Sequence, residues 1–400
     1  MNKKVSLGAA LAMALIAAAA AVAIAMSYSV KMYNSIISDL PDREKLYSSV
    51  SEIDGIIRDS YYGAVDSDLL NNNIFKGYVA GLGDNDSLYL DSGEYARYKN
   101  RAAGTVNGIG VTAAWDTAAD CFTVVSVVNG SPAAKAGLDK GAVITKIDEQ
   151  PVTQSNYEQL SALFSGDKLT TVNITYERYG KTNVINVVRG YESQAVIYEN
   201  LDGLGYIKII DFYGNAVSQL VTAVNELTQA EVTAMVIDVR GTSQGEVEFA
   251  ASMADLFVPL ATTGSGAMAK AVNREGETVE LYSSDTDEVK VPVAVLTDGS
   301  TKGASEFFVS ALKAFGKAQT VGKTTAGKGT LQRIYELSNG GAVMLTVAVI
   351  VPYDEKIYND TGIAPDYEVE PAADYTGTAG IPDAAGDTQL AKATELLRAG

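Results

Sequence analysis

Between residues 204 and 315 the chain alternates apolar strand patterns with amphipathic helix patterns, and this alternation restricts the fold more than any other feature. Residues 204–210 read as a strand and 216–227 as an amphipathic helix. Residues 233–239 form a nearly continuous apolar strand, followed by a helix over 246–257. Another buried strand over 291–296 leads through 297–303 into a helix from about 304 to 315. Strands this apolar, separated by helices, call for an α/β core: a mainly parallel sheet with helices packed on it. Two further strands follow residues 322–329, up to Val351. The last thirty residues are an acidic linker and one short helix over 388–397.

Ahead of this core the texture differs. From Arg101, short β-branched runs at 122–128, 142–147, 171–176 and 182–188 are broken by Gly, Asn and Asp. With a helical turn at 132–137 and a longer helix at 156–164, they describe one compact α+β module. Before it, Leu46, Val50, Ile53 and Ile57 recur at helical spacing and residues 71–82 suggest a second helix. The expected division is a leader over 1–30, a helical region over 31–100, the α+β module over 101–192, the α/β core over 193–370 and the tail over 371–400.

The leader carries Lys3 and Lys4, then no charge until Lys31; its apolar part, Val5 to Met26, is 22 residues long. At about 1.5 Å per residue such a helix crosses a hydrocarbon core of roughly 30 Å. It reads as a membrane signal-anchor, or as a signal peptide cleaved near Ala25, where Ala23-Ile24-Ala25 offers small residues. Either places the bulk of the chain outside the cytoplasm, in the cell envelope, held to the membrane by the N-terminal helix or secreted after cleavage.

Composition works by exclusion. With 49 acidic and 31 basic residues the net charge is -18, which repels phosphate and argues against nucleic acid as a partner. The chain has no histidine and one cysteine, Cys121. Imidazole and thiolate metal sites and Ser-His-Asp catalysis are therefore excluded, and no cofactor or metal is expected. Proton transfer near neutral pH falls to Lys, Tyr, Cys or a shifted carboxylate.

The stretch from Asn129 to Asp148, with Ser131-Pro132-Ala133 and Ala136-Gly137-Leu138, resembles a bacterial PDZ domain, and Gly108-Ile109-Gly110-Val111 is similar to that family's carboxylate-binding loop. Glycines there let backbone N–H groups converge on a terminal carboxylate while the ligand adds a strand. A PDZ domain placed before an α/β domain resembles the carboxyl-terminal processing peptidases, the Ser-Lys peptidases of the tail-specific protease family. The segments 78–90, 204–209, Val236 to Arg240, 321–332 and Thr361 to Asp366 are similar to that family's motifs, in order. The resemblance implies a ClpP/crotonase-like peptidase core and, as partners, protein C-termini or unfolded polypeptide. By the same analogy the helical N-terminal region is a candidate homodimerisation element.

The resemblance also implies site residues. The family's general base, a lysine held neutral by its surroundings, matches Lys328, and the glutamine that orients it matches Gln332. The nucleophile position, three residues before Glu306 and 25 before the lysine, is Gly303, which has no hydroxyl. The oxyanion N–H groups correspond to Gly245 and Ala304, and Gln244 replaces a glycine of that turn. A serine at 303 is expected to fold without large cost, as at any helix N-terminus. Two readings stay open. One is a pseudopeptidase that binds tails without cutting; the other is an active peptidase using Ser305 or Ser300 with Lys328. A third has the PDZ module scaffolding an envelope complex.

Overall fold

The computed structural model describes residues 40–399 apart from 129, 166–168, 259–266, 285–287 and 373–385. The 1–30 leader lies outside the described residues, and among those described no helix is long and apolar enough to cross a membrane. The chain divides into two compact units between Ile74 and Phe75. In the first, helix α1 (Leu40–Ser60) leaves Leu46, Ile53 and Ile56 exposed, so its apolar side chains are not packed into a core. Helix α2 (Ser67–Ala80) runs across the division.

The second unit begins with β1 (Leu88–Leu90) and α3 (Ser92–Ala102). A reciprocal capping box starts α3: Asp91 accepts the Glu94 N–H at 2.8 Å and Glu94 accepts the Asp91 N–H at 3.0 Å. A short ladder of β2 (Thr105–Val106) follows.

The α+β module is built on β3 (Val111–Asp116), β4 (Cys121–Val127), α4 (Pro132–Lys135), β5 (Val143–Ile147), β6 (Gln150–Pro151), α5 (Tyr157–Ser161), β7 (Thr171–Arg178) and β8 (Lys181–Val188). Its sheet order is β3-β4-β5-β7-β8, with β3 on an edge. The expected helix over 156–164 is shorter, because its last turn tightens to a 3-10 helix over Ala162–Phe164. Strand β9 (Tyr191–Glu192) pairs with β2 and closes the module.

The core sheet holds β10 (Val196–Leu201), β11 (Leu204–Ile209), β12 (Ala234–Asp238), β15 (Val293–Thr297), β16 (Ala318–Gly322) and β19 (Tyr367–Glu368), in that order. All neighbours are parallel except β10 and β11. Alternate residues serve opposite faces. Ile207, Ile209, Met235, Ile237 and Val295 pack under helices α6 (Ala216–Gln229), α7 (Val247–Asp255) and α8 (Ala304–Ala314). Tyr206, Val236, Ala294 and Leu296 pack with Leu390 and Ala393 of α9 (Thr388–Ala399).

A second sheet contains the two further strands expected after residues 322–329 and adds three that were not expected. Strands β13 (Ala267–Asn273), β14 (Thr278–Ser283), β17 (Thr330–Glu336) and β18 (Ala342–Pro352) join β1 in an antiparallel five-stranded sheet. Among the described residues strand β17 pairs only with β18, and its other edge pairs with no strand.

A buried charge cluster fastens α9 to the core. Arg240 donates to Asp238 at 2.6 Å and to Asp387 at 2.7 Å, and Lys208 lies 3.3 Å from Asp238. Two cations face two carboxylates, so the cluster is neutral, the condition under which buried charge is tolerated.

Candidate active site: a lysine facing a glycine

The site lies beyond the carboxyl ends of β12, β15 and β16, where the loops after three parallel strands converge. The first loop, after β12, is anchored at Gly241, whose N–H donates to both Asp298 oxygens at 3.0 Å. At Gly245 the chain passes against Phe212. With φ of +135° there, an added Cβ would lie 2.4 Å from Phe212 Cβ, so this close passage requires glycine.

The second loop, after β15, carries Asp298 and ends at Gly303, which caps α8 with φ of +67° and ψ of -111°. L-residues rarely adopt that conformation. The third loop, after β16, carries Lys328. An added Cβ on Gly303 would lie 3.4 Å from Lys328 Cδ, an ordinary van der Waals contact.

Glu306 connects the second and third loops. Wholly buried, it accepts the N–H of Gly303 at 3.0 Å, of Lys328 at 2.7 Å and of Gly327 at 2.6 Å, and the Thr325 hydroxyl. In the sequence Glu306 serves only to mark the alignment; in the structure its carboxylate determines that Lys328 and position 303 face each other.

Gly245, Gly303, Ala304, Lys328 and Gln332 all line one cavity of about 710 Å³. Among the described residues, neither the Gly245 nor the Ala304 N–H has an acceptor. Two details differ from the implied roles. The Gln332 amide donates to Thr330 at 2.8 Å and Thr346 at 3.3 Å rather than to the lysine, and the Lys328 amine pairs with Asp86 at 3.0 Å. The Gln244 amide oxygen accepts from Arg101 at 3.2 Å, tying the altered turn to α3.

Neither alternative serine lines the cavity. Ser305 is buried; its hydroxyl donates to Thr242 O at 2.6 Å and Lys302 O at 2.9 Å and accepts the Lys302 N–H at 3.2 Å. It serves as a brace between the first two loops. Ser300 is exposed, with its N–H on Asp298.

Tyrosines are poor candidates for the base. Burial and the Glu246 carboxylate push Tyr98 well above the usual phenol range, and burial pushes Tyr282 up to about 12. Both remain neutral donors near pH 7.

In the PDZ-like loop, the Ile109 N–H already donates to Phe164 O at 3.0 Å, and Gly110 lies against Ser131. One of the donors expected to meet a carboxylate is therefore occupied by the end of the helical segment. Among the described residues the outer edge of β3 pairs with no other strand, the kind of edge to which a peptide strand can add.

Residues 203–369 match the model of peptidase family S41, and residues 108–188 match that of the PDZ domain. The chain is 28% identical over 318 residues to the carboxy-terminal processing protease CtpA of Bacillus subtilis, covering 78% of this chain and 67% of that one. It is 26% identical to a probable CtpA-like serine protease of Staphylococcus epidermidis, over 81% of this chain and 65% of that one. The chain thus spans about two thirds of the length of these relatives. A putative S41 protease from Bacteroides fragilis shares the fold: TM-score 0.52 at 18% identity, covering 86% of this chain and 94% of that structure. By its two matched models the chain carries a PDZ domain followed by a domain of peptidase family S41, and it is similar to the carboxy-terminal processing proteases.

Proposed function

We propose that this protein captures protein C-termini or unfolded segments and holds them without forming an acyl-enzyme. The observation that carries the reading is Gly303: the position facing Lys328 has no hydroxyl, and the serines beside it in the chain, Ser300 and Ser305, are outside the cavity, whose lining serine is Ser243 of the first loop. Acyl transfer needs an oxygen that can attack the carbonyl carbon and hand its proton to a base. Capture needs only strand edges and donors. The β3 edge of the PDZ domain, the outer β17 edge and the acceptor-free N–H groups of Gly245 and Ala304 supply both.

An envelope location is part of this proposal and rests on the two lysines and the 22-residue apolar run of the leader. Dimerisation through the N-terminal helical region is likewise proposed, favoured by the exposed apolar side chains of α1.

The test is incubation of the full chain and of Lys328→Ala with an unstructured protein, monitoring binding and fragment formation. Binding without fragments is expected from both. Cleavage by the wild type that disappears with Lys328→Ala would sink the reading.

A further inference from the structure

The retained lysine has a partner that its motif does not announce. Lys328 Nζ lies 3.0 Å from Asp86 Oδ1, and Lys302 Nζ lies 3.4 Å from the same oxygen. Asp86 reaches this place on a well-anchored turn. Asp84 accepts the Asp86 N–H at 2.9 Å and the Ser87 hydroxyl at 2.6 Å. Ser87 Oγ in turn accepts the Thr346 N–H at 3.1 Å, and Leu88, Tyr89 and Leu90 pair with Met344, Val343 and Ala342. The sheet therefore delivers the carboxylate to the amine. The other charges around the pair are Lys302 on the loop before α8, Asp84 behind the turn, and Glu306, which binds the Lys328 backbone.

We propose that Asp86 is a positioning residue that holds the Lys328 amine out of use as a base, a second departure from acyl transfer independent of Gly303. The inference rests on reading position 303 as the vacated nucleophile position. A general base must present a lone pair to the proton it takes. An ammonium donating into a carboxylate at 3.0 Å presents none, and drawing it away breaks a charge-assisted contact. The pair is sheltered, with side-chain exposures of 21% and 23%, so water screens it less than a surface pair. The lock also gives the lysine a use in a chain without the nucleophile: with Lys302 it holds the turn before β1 against the loop before α8.

The experiment uses the full chain and a fluorophosphonate probe. In Gly303→Ser, the introduced Oγ forms a bond to phosphorus, the P–F bond breaks, fluoride leaves, and the hydroxyl proton passes to the Lys328 amine. Four backgrounds are compared: Gly303→Ser alone, with Asp86→Asn, with Asp86→Glu, and with Asp86→Asn plus Lys328→Ala. Asp86→Asn is expected to raise the labelling rate by on the order of tenfold or more over Gly303→Ser. Asp86→Glu, which keeps the charge, should leave it low, and Lys328→Ala should abolish the gain. Equal labelling with and without Asp86→Asn, including none in either, overturns the proposal, as does a gain that survives Lys328→Ala. Thermal melting checks the fold, and Asp86→Ser replaces Asp86→Asn if that variant melts early. Lysine-dependent labelling of the unsubstituted chain would instead refute the vacated-site reading, whatever the Asp86 variants do.

Discussion

Glu306 accepts the backbone N–H of Lys328 at 2.7 Å while the same oxygen accepts that of Gly303 at 3.0 Å. One buried carboxylate thus holds the lysine loop and the side-chain-free helix cap face to face. Glu306→Gln places an amide NH₂ among these donors and leaves at least one buried N–H unpaired. A loss of about 3 kcal/mol is expected, since each buried group left unpaired costs roughly 1–3 kcal/mol. Urea unfolding of the two proteins checks it.

Gly303→Ser has room for its Cβ beside Lys328 but must adopt φ of +67°. The sequence-based expectation of a nearly free substitution is corrected here: the strain should cost about 1–3 kcal/mol, seen as a lower melting temperature. Cleavage of an unstructured protein by this variant should be weak, and absent when Lys328→Ala is added.

Arg240→Met removes the cation shared by Asp238 and Asp387. Two buried carboxylates then depend on Lys208 and neutral donors, and a loss of about 3–5 kcal/mol is expected. Because Asp387 immediately precedes α9, faster proteolysis near the C-terminus should accompany the loss, read by mass spectrometry of the fragments.

Asp366 is held below the usual carboxylate range. Burial opposes this, but Lys313 and the N–H and hydroxyl of Thr320 outweigh it. A carboxyl with a lowered native pKa adds stability that is present above its unfolded value, about 3.9, and is lost as pH falls through the native value. Asp366→Asn should therefore be less stable than wild type at pH 6 and approach it as pH falls through the lowered native value. Denaturant titrations across that range decide it; a constant difference would refute the assignment.

For the PDZ domain, a peptide with a free apolar C-terminus should bind more tightly than its amide, by about 1.5–3 kcal/mol at most, the value of a charge-assisted hydrogen bond. The Ile109 N–H must leave Phe164 O to take part, which lowers the gain. Calorimetry with the two peptides suffices, and equal affinity would remove the carboxylate-reading role.

What could be read of the core sheet from the chain alone came from local pattern. Apolar runs at 204–210, 233–239 and 291–296 announced the parallel sheet because a strand apolar on both faces has to be covered by helices. That Gly303 and Lys328 would face each other came from the family resemblance, whose nucleophile and base positions they match, and not from any local pattern. The five-stranded antiparallel sheet escaped because β1, β13 and β17 come from three distant stretches and meet only on β18.

The sequence by itself determined that position 303 carries no hydroxyl, that no histidine can serve as base, and that a lysine lies 25 residues on; these are matters of covalent identity. Tertiary structure decided what those residues face. It placed Asp86 on the Lys328 amine, turned Ser305 into a brace, gave Gln332 to two threonines and set Gly303 in a conformation that resists a side chain. Such pairings depend on which loops the sheets bring together, and hydrogen bonds and ion pairs act only over a few ångströms. No spacing along the chain encodes a contact between residues 86 and 328 until β1 has paired with β18.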